Sequence, residues 1–187
     1  YAVYRAVMKT GKGHCRILGV ALEEHGVTFS LWARLASEVE LLLFKSPDDD
    51  SPRIITLSPR QNRTAYYWHV FIEGIGDGQR YGWRIKGPWR PYPATRFDPD
   101  KVMLDPYGKE VVLGKNYNRS AACQPGSNLH CCAKSAVVDL SSYDWEDDCS
   151  PSHPMSRSII YEMHVGGFTA DPSSGLRKAV RGTYAGL

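Results

Sequence analysis

Apolar and polar residues alternate along several short segments of this chain. In residues 26–32 every second side chain from Val27 onward is large and apolar, whereas Thr28 and Ser30 stand between them. A period of two is typical of a β-strand that buries one face. Similar patterns occupy residues 38–44, 53–57, 66–73, 80–86, 101–104 and 109–113. Within 38–44, Leu42 and Phe44 make the second face apolar as well, so we expect that strand to be covered more completely.

Turn-forming residues separate the predicted strands. Residues 47–52 read Pro-Asp-Asp-Asp-Ser-Pro, and residues 74–78 contain three glycines in five positions, compositions that favour turns. The last two apolar segments flank a turn-like sequence at 105–108 and are predicted to pair with each other. About seven short strands without an amphipathic helix predict a mainly β fold, an immunoglobulin-like antiparallel β-sandwich over residues 14–113.

The remainder of the chain has a different character. Residues 114–157 are rich in Asn, Ser, Pro and Cys, and only residues 136–140 resemble a strand. We interpret this stretch as an ordered connector. Residues 158–165 read Ser-Ile-Ile-Tyr-Glu-Met-His-Val and are apolar on both faces, which is typical of a parallel strand covered on both sides. The sequence therefore predicts that residues 158–187 begin a second domain.

Charge and hydropathy exclude two classes of partner. The 187 residues include 23 basic and 20 acidic side chains, a net charge of +3. This balance, without a basic block, predicts that the chain does not bind nucleic acid. The longest apolar run, 39–44, is interrupted by Glu40 and is far shorter than the ~20 residues of a membrane span. Because the first residues lack the pattern of a secretory signal, we expect a cytoplasmic protein, or a plastid stromal one whose transit peptide has been removed.

The cysteines do not predict a disulfide framework or a metal site. The five thiols are an odd number, and their spacing matches no pair of short Cys-x-x-Cys motifs. His130 and His153 lie near cysteines in the sequence, but this spacing also matches no common metal motif. We therefore predict reduced thiols, no metal and no cofactor.

Three groups of motifs, taken in order, carry a family resemblance. They lie at residues 66–74 with 78–84, at residues 96–99 with 104–109, and at residues 160–169 with 172–175 and 181–187. Together they resemble the N-terminal region of isoamylase-type glycogen or starch debranching enzymes of glycoside hydrolase family 13. The resemblance extends over roughly residues 16–187.

The resemblance implies two structural parts along the chain. The sandwich is similar to carbohydrate-binding module family 48, and residues 160–168 resemble the first strand of the catalytic (β/α)8 barrel, here incomplete. The implied function is that of an accessory segment of a hydrolase that cleaves α-1,6 linkages. The implied partners are an α-glucan (glycogen, amylopectin or a maltooligosaccharide) and the remainder of the barrel, or a partner chain, covering residues 158–187. The alternatives are a stand-alone glucan-binding or scaffold subunit and an unrelated immunoglobulin-like interaction domain.

No residue of this chain is predicted to be catalytic. Retaining hydrolysis needs two carboxyl groups about 5 Å apart, and in the resembled family these follow later barrel strands. A barrel needs on the order of 250 residues, whereas 30 follow residue 157. Glu162 and His164 share one face of the predicted strand, but the usual partners for proton transfer are missing. The acidic cluster at 146–148 is best interpreted as a solvated loop.

The candidate sugar-binding residues are Trp89, Tyr92 and Trp83. Trp89 lies between Pro88 and Pro91 just after a predicted strand, where a stiff loop would present its ring at little entropic cost. Its position resembles that of a sugar-stacking tryptophan in glycogen-binding members of module family 48. Two other contacts of those members are absent, because Gly82 replaces their lysine and residues 44–48 lack their second tryptophan. The alternatives are that Trp89 packs against the barrel and that Trp83 belongs to the core.

Overall fold

The computed structural model describes residues 8–90, 95–141 and 143–187. The chain divides into two compact units, the first ending at Tyr143 and the second comprising Asp144–Leu187. Among the helices in these described ranges, none has the length and apolar character needed to cross a bilayer.

The first unit is built from short strands. In chain order they are β1 (Thr10–Gly11), β2 (Gly19–Glu23), β3 (Gly26–Trp32), β4 (Glu38–Phe44), β5 (Arg53–Thr56), β6 (Arg63–Thr64), β7 (Tyr67–Glu73), β8 (Arg80–Lys86), β9 (Trp89–Arg90), β10 (Thr95–Arg96), β11 (Val102–Met103), β12 (Glu110–Val112) and β13 (Lys134–Ala136). A short helix, α1 (Arg119–Cys123), and a 3-10 turn at Leu129–Cys131 lie between the last two strands.

Two antiparallel sheets form a sandwich. One has the strand order β1-β7-β3-β2, with β6 added to β7. The other has the order β12-β13-β8-β4-β5, with β11 added to β8. Strands β9 and β10 form a separate two-stranded hairpin. The predicted mainly β fold of two antiparallel sheets is thereby confirmed.

The core lies between the sheets and follows the predicted alternation. Each of the four long strands buries three alternating residues: Val27, Phe29 and Leu31; Val39, Leu41 and Leu43; Trp68, Val70 and Ile72; and Tyr81, Trp83 and Ile85. The rings of Phe29 and Tyr81, from opposite sheets, meet edge to face with centroids 4.9 Å apart. This geometry is favourable for aromatic pairs in a core.

The second apolar face of β4 is covered by the segment that follows the sandwich in sequence. Leu42 and Phe44 are buried in a smaller cluster with Val102 and Cys132. The segment interpreted as a connector therefore contributes structure to the sandwich, including strand β13, which pairs with β8. Strands β11 and β12 do not pair with each other as predicted, because β11 pairs with β8 and β12 pairs with β13.

The second unit lacks the strand that was predicted at residues 158–165. Residues 158–164 have no regular structure, and Val165–Phe168 form a short helix, α2. A buried parallel strand needs hydrogen-bonding neighbours on both sides. The structure describes all of residues 144–187 and contains no strand among them. Ile159 is accordingly 98% exposed.

Candidate functional site

The hairpin β9–β10 presents an aromatic ring at the surface of the first unit. Trp89 is 61% exposed and stands opposite Arg96 in the hairpin register. The chain enters the hairpin past Gly87, where a Cβ atom would lie 2.7 Å from the ring of Phe97. Phe97 in turn packs against the sandwich core. The hairpin is thus attached to the core at its base while Trp89 remains in contact with solvent.

Trp89 lines a groove of about 420 Å³. The other walls are Arg96, Met103 and Tyr117, together with Gln124 and Asn128 from the segment around α1. Its lining is mainly apolar and includes the polar side chains of Arg96, Tyr117 and Gln124. A mainly apolar cleft with a few polar groups is the usual form of a small-ligand site.

Internal hydrogen bonds fix the wall that Asn128 and the segment around α1 contribute to the groove. The side-chain amide of buried Asn128 accepts a 2.8 Å hydrogen bond from the backbone N–H of Val102 and donates a 3.0 Å bond to its carbonyl oxygen. The ammonium group of Lys101 donates to the carbonyl oxygens of Ala121, at 2.7 Å, and Gln124, at 2.6 Å. These bonds hold the segment after α1 against β11, so the groove is preformed and little order has to be imposed on binding.

Asp98 anchors the same wall. Its carboxylate accepts hydrogen bonds from the backbone N–H groups of Gly126 at 2.8 Å and Asp100 at 3.0 Å. These two bonds favour the charged form and lower the pKa of Asp98 below its ordinary value. The oxygens that accept these bonds are therefore engaged in structure.

A second groove, of about 620 Å³, adjoins the first. It is lined by Trp32 at the end of β3, by Leu35 and Phe97, and by Leu104 and Pro106 after β11. The two grooves share five lining residues, namely Arg96, Asp98, Lys101, Met103 and Leu104. They therefore lie side by side on one surface of the sandwich.

The structure separates the three candidate sugar-binding residues. Trp89 lies exposed in a groove. Trp83 is only 1% exposed, and its indole N–H donates to Oδ2 of Asp105 at 3.3 Å. It therefore has no free face for stacking, and its candidacy is corrected in favour of the core alternative. Tyr92 lies outside the described residues.

Sequence reasoning did not single out Arg96, Tyr117 or Trp32. Trp32 shares the strand face of Thr28 and Ser30, opposite the core residues, and this alternation could have indicated its position. Arg96 and Tyr117 reach the groove through strand pairing and through the fold of the segment after β12. No local pattern in the sequence specifies those contacts.

Glu162 and His164 do not form a proton-transfer pair in the structure. Nδ1 of His164 accepts a 3.0 Å hydrogen bond from the backbone N–H of Gly167 and caps helix α2. Both side chains are exposed. In the described part of the chain, no group of three or more His, Cys, Asp and Glu side chains is arranged to hold a metal ion.

These features define a two-sheet β-sandwich domain with an aromatic-edged groove. A model of the family described as carbohydrate-binding module 48 (isoamylase N-terminal domain) matches residues 17–108, and this part of the chain belongs to that family. The chain as a whole is similar to the N-terminal region of glycogen debranching enzymes and pullulanases.

Two curated relatives illustrate the similarity. The glycogen debranching enzyme of Serratia proteamaculans (strain 568) is 35% identical over 175 residues, which cover 91% of this chain and 25% of the enzyme. The glycogen debranching enzyme of Salmonella typhi is 36% identical over 183 residues, which cover 90% of this chain and 26% of that enzyme. The chain thus spans about a quarter of the length of the curated relatives that it matches.

A solved structure shows the same fold. A pullulanase from Paenibacillus barengoltzii, crystallised in complex with maltohexaose and α-cyclodextrin, superposes with a TM-score of 0.58 at 26% sequence identity. The match covers 93% of this chain and 23% of the pullulanase.

Proposed function

We propose that this chain is the N-terminal accessory segment of an α-1,6-glucan debranching hydrolase of the isoamylase type, acting on glycogen or starch. Its sandwich binds α-glucan, with Trp89 as the stacking platform, and contributes no catalytic group. The observation that carries this proposal is the exposed ring of Trp89 at the edge of a preformed groove in a carbohydrate-binding module 48 domain.

The groove suits a glucan in chemistry and in size. A glucopyranose unit has an apolar face of C–H groups and a rim of hydroxyls. The apolar face stacks on the ring of Trp89, and the hydroxyls meet the polar side chains of Arg96 and Gln124, which also line the groove. The volume of about 420 Å³ lies within the roughly 300–1,000 Å³ of ordinary ligand clefts. That the Paenibacillus barengoltzii pullulanase was crystallised with maltohexaose and α-cyclodextrin supports this ligand class.

Residues 158–165 belong, in this proposal, to the first strand of a catalytic barrel. Their two-faced apolar pattern matches such a strand, and their exposure here is explained by the absence of neighbouring strands within residues 144–187. The remainder of the barrel, or a partner chain, would cover them and supply the ladder hydrogen bonds. The bacterial relatives support a cytoplasmic place of action, and the plastid stroma is the alternative in a photosynthetic eukaryote.

Titration with maltoheptaose and with a branched glucan, followed by tryptophan fluorescence, tests glucan binding. We expect millimolar or tighter affinity. The Trp89→Ala variant should bind at least about tenfold more weakly, a change of ~1.4 kcal/mol. Trp145→Ala is the matched control, because Trp145 is equally exposed but lies in the second unit.

Each result has a clear consequence. Loss of affinity in Trp89→Ala alone establishes the platform. If the folded wild-type chain binds neither ligand, the glucan-binding proposal is wrong, and the sandwich acts as a brace for the rest of the protein.

A further inference from the structure

We infer that the two grooves form one path for a single linear α-1,4-glucan chain, with Trp32 as a second stacking platform and Arg96 at the junction. This inference rests on the proposed function and extends it from one sugar subsite to a longer site. It predicts that the module distinguishes long glucan chains from short ones.

The continuity of the surface is the first support. Five residues line both grooves, so no wall separates the groove that holds Trp89 from the groove that holds Trp32. Trp89 lines only the first groove and Trp32 only the second. One exposed tryptophan thus lies in each unshared part of a common surface.

Trp32 has the exposure that a platform requires. It is the last residue of β3, stands opposite Tyr67 in the register, and is 51% exposed. Leu35 and Leu104 beside it are partly exposed as well. An exposed apolar patch of this kind marks an interaction surface, and the C–H faces of successive sugar units are complementary to it.

Arg96 supplies a polar group at the junction. Of the three charged residues shared by the grooves, Lys101 and Asp98 are engaged with backbone groups. Arg96 is exposed, and no hydrogen bond or ion pair of its guanidinium occurs among the described residues. A guanidinium carries five N–H donors in one plane, which can reach the hydroxyls of a sugar between the two tryptophans.

The test compares ligand lengths by calorimetry on the 187-residue chain. We expect wild type to bind maltoheptaose more tightly than maltotriose. Trp32→Ala should weaken maltoheptaose binding by about fivefold, roughly 1 kcal/mol, and change maltotriose binding by less than about twofold. Arg96→Ala should weaken maltoheptaose binding, with Arg60→Ala, an exposed arginine outside both grooves, as the matched control.

A measurement on the unmutated chain keeps the inference testable if a variant folds poorly. In NMR spectra, maltoheptaose should shift the indole N–H signals of both Trp32 and Trp89, and maltotriose chiefly that of Trp89. If maltoheptaose shifts only Trp89, or if a folded Trp32→Ala variant binds it like wild type, the inference is overturned and the second groove is left for a protein partner. Absence of binding by wild type to either sugar would instead overturn the proposed function, and this inference with it.

Discussion

The phenolic hydroxyl of Tyr81 donates a buried 2.9 Å hydrogen bond to Oδ2 of Asp105. The same carboxylate accepts from the indole N–H of Trp83 and, at 2.8 Å, from the backbone N–H of Tyr107. The backbone N–H of Asp105 donates to Oγ of Ser135 at 3.0 Å. Asp105 therefore ties β8 and β13 to the loop that carries the Leu104 and Pro106 wall of the second groove.

Removing the Tyr81 hydroxyl should destabilise the sandwich. Tyr81→Phe keeps the ring in the core but removes the hydrogen bond that the Tyr81 hydroxyl donates to Oδ2 of buried Asp105. The expected loss is about 1–3 kcal/mol in the free energy of unfolding, measured by urea denaturation. Tyr66→Phe is the control, because Tyr66 is substantially exposed. An effect in Tyr81→Phe no larger than in Tyr66→Phe would contradict the role given to this bond.

The same bond predicts an alkaline sensitivity. Burial and the negative charge of Asp105 raise the pKa of Tyr81 well above its ordinary value of 10.0. Above pH 10 the unfolded chain releases this proton while the folded chain retains it, so the folded state binds more protons and stability falls as pH rises. The slope attributable to Tyr81 approaches about 1.4 kcal/mol per pH unit.

Comparison with Tyr81→Phe isolates this contribution. Unfolding free energies measured from pH 8 to pH 11 should converge for wild type and Tyr81→Phe as pH rises, because the variant has no proton to lose at this position. Parallel curves for the two proteins would refute the assignment.

Gly26 should not tolerate a side chain. It is buried at the start of β3, and a Cβ atom there would overlap the carbonyl oxygen of Ile72 on β7. Because backbone blocks the space, Gly26→Ala should lower stability by about 2 kcal/mol or more. Gly76→Ala is the matched control, since nothing lies within 4 Å of its Cβ position. Thermal denaturation of both variants checks this, and equal melting temperatures would contradict it.

Asn128 should link stability to glucan binding. Asn128→Ala removes both bonds to Val102 and leaves two buried backbone groups unpaired, which should cost about 2–3 kcal/mol. Because these bonds hold one wall of the groove that Trp89 also lines, affinity for maltoheptaose should fall as well. Asn116→Ala, at an exposed position, is the control. Lower stability in Asn128→Ala with unchanged affinity would show that the wall does not shape the sugar site.

The alternation in the long strands was sufficient to predict much of the sandwich. Val27, Phe29 and Leu31 face the core because successive side chains of a strand point to opposite faces. The pairing of the shorter segments was not predictable in this way. Strand β13 is three residues long, and its place beside β8 depends on backbone partners that are more than 50 residues away in sequence.

The residues of the candidate site also divide into those that a local pattern predicts and those that only packing places. Trp89 was predicted from its stiff loop and its family resemblance, and the structure places it in a groove. Trp83 is the same residue type but lies within an alternating strand, where Asp105 and Phe29 contact it in the core. Exposure is a property of the packed sheets, so the sequence pattern left both roles open for Trp83.

By itself the sequence determined the period of two, the turns and the family-specific motifs, because these are local properties of the chain. Only the tertiary structure decided which aromatic rings remain at the surface, that two grooves share Arg96, and that residues 158–165 lack strand partners. These outcomes depend on contacts between residues distant in sequence, and such contacts form only when the sheets pack and bury their common face.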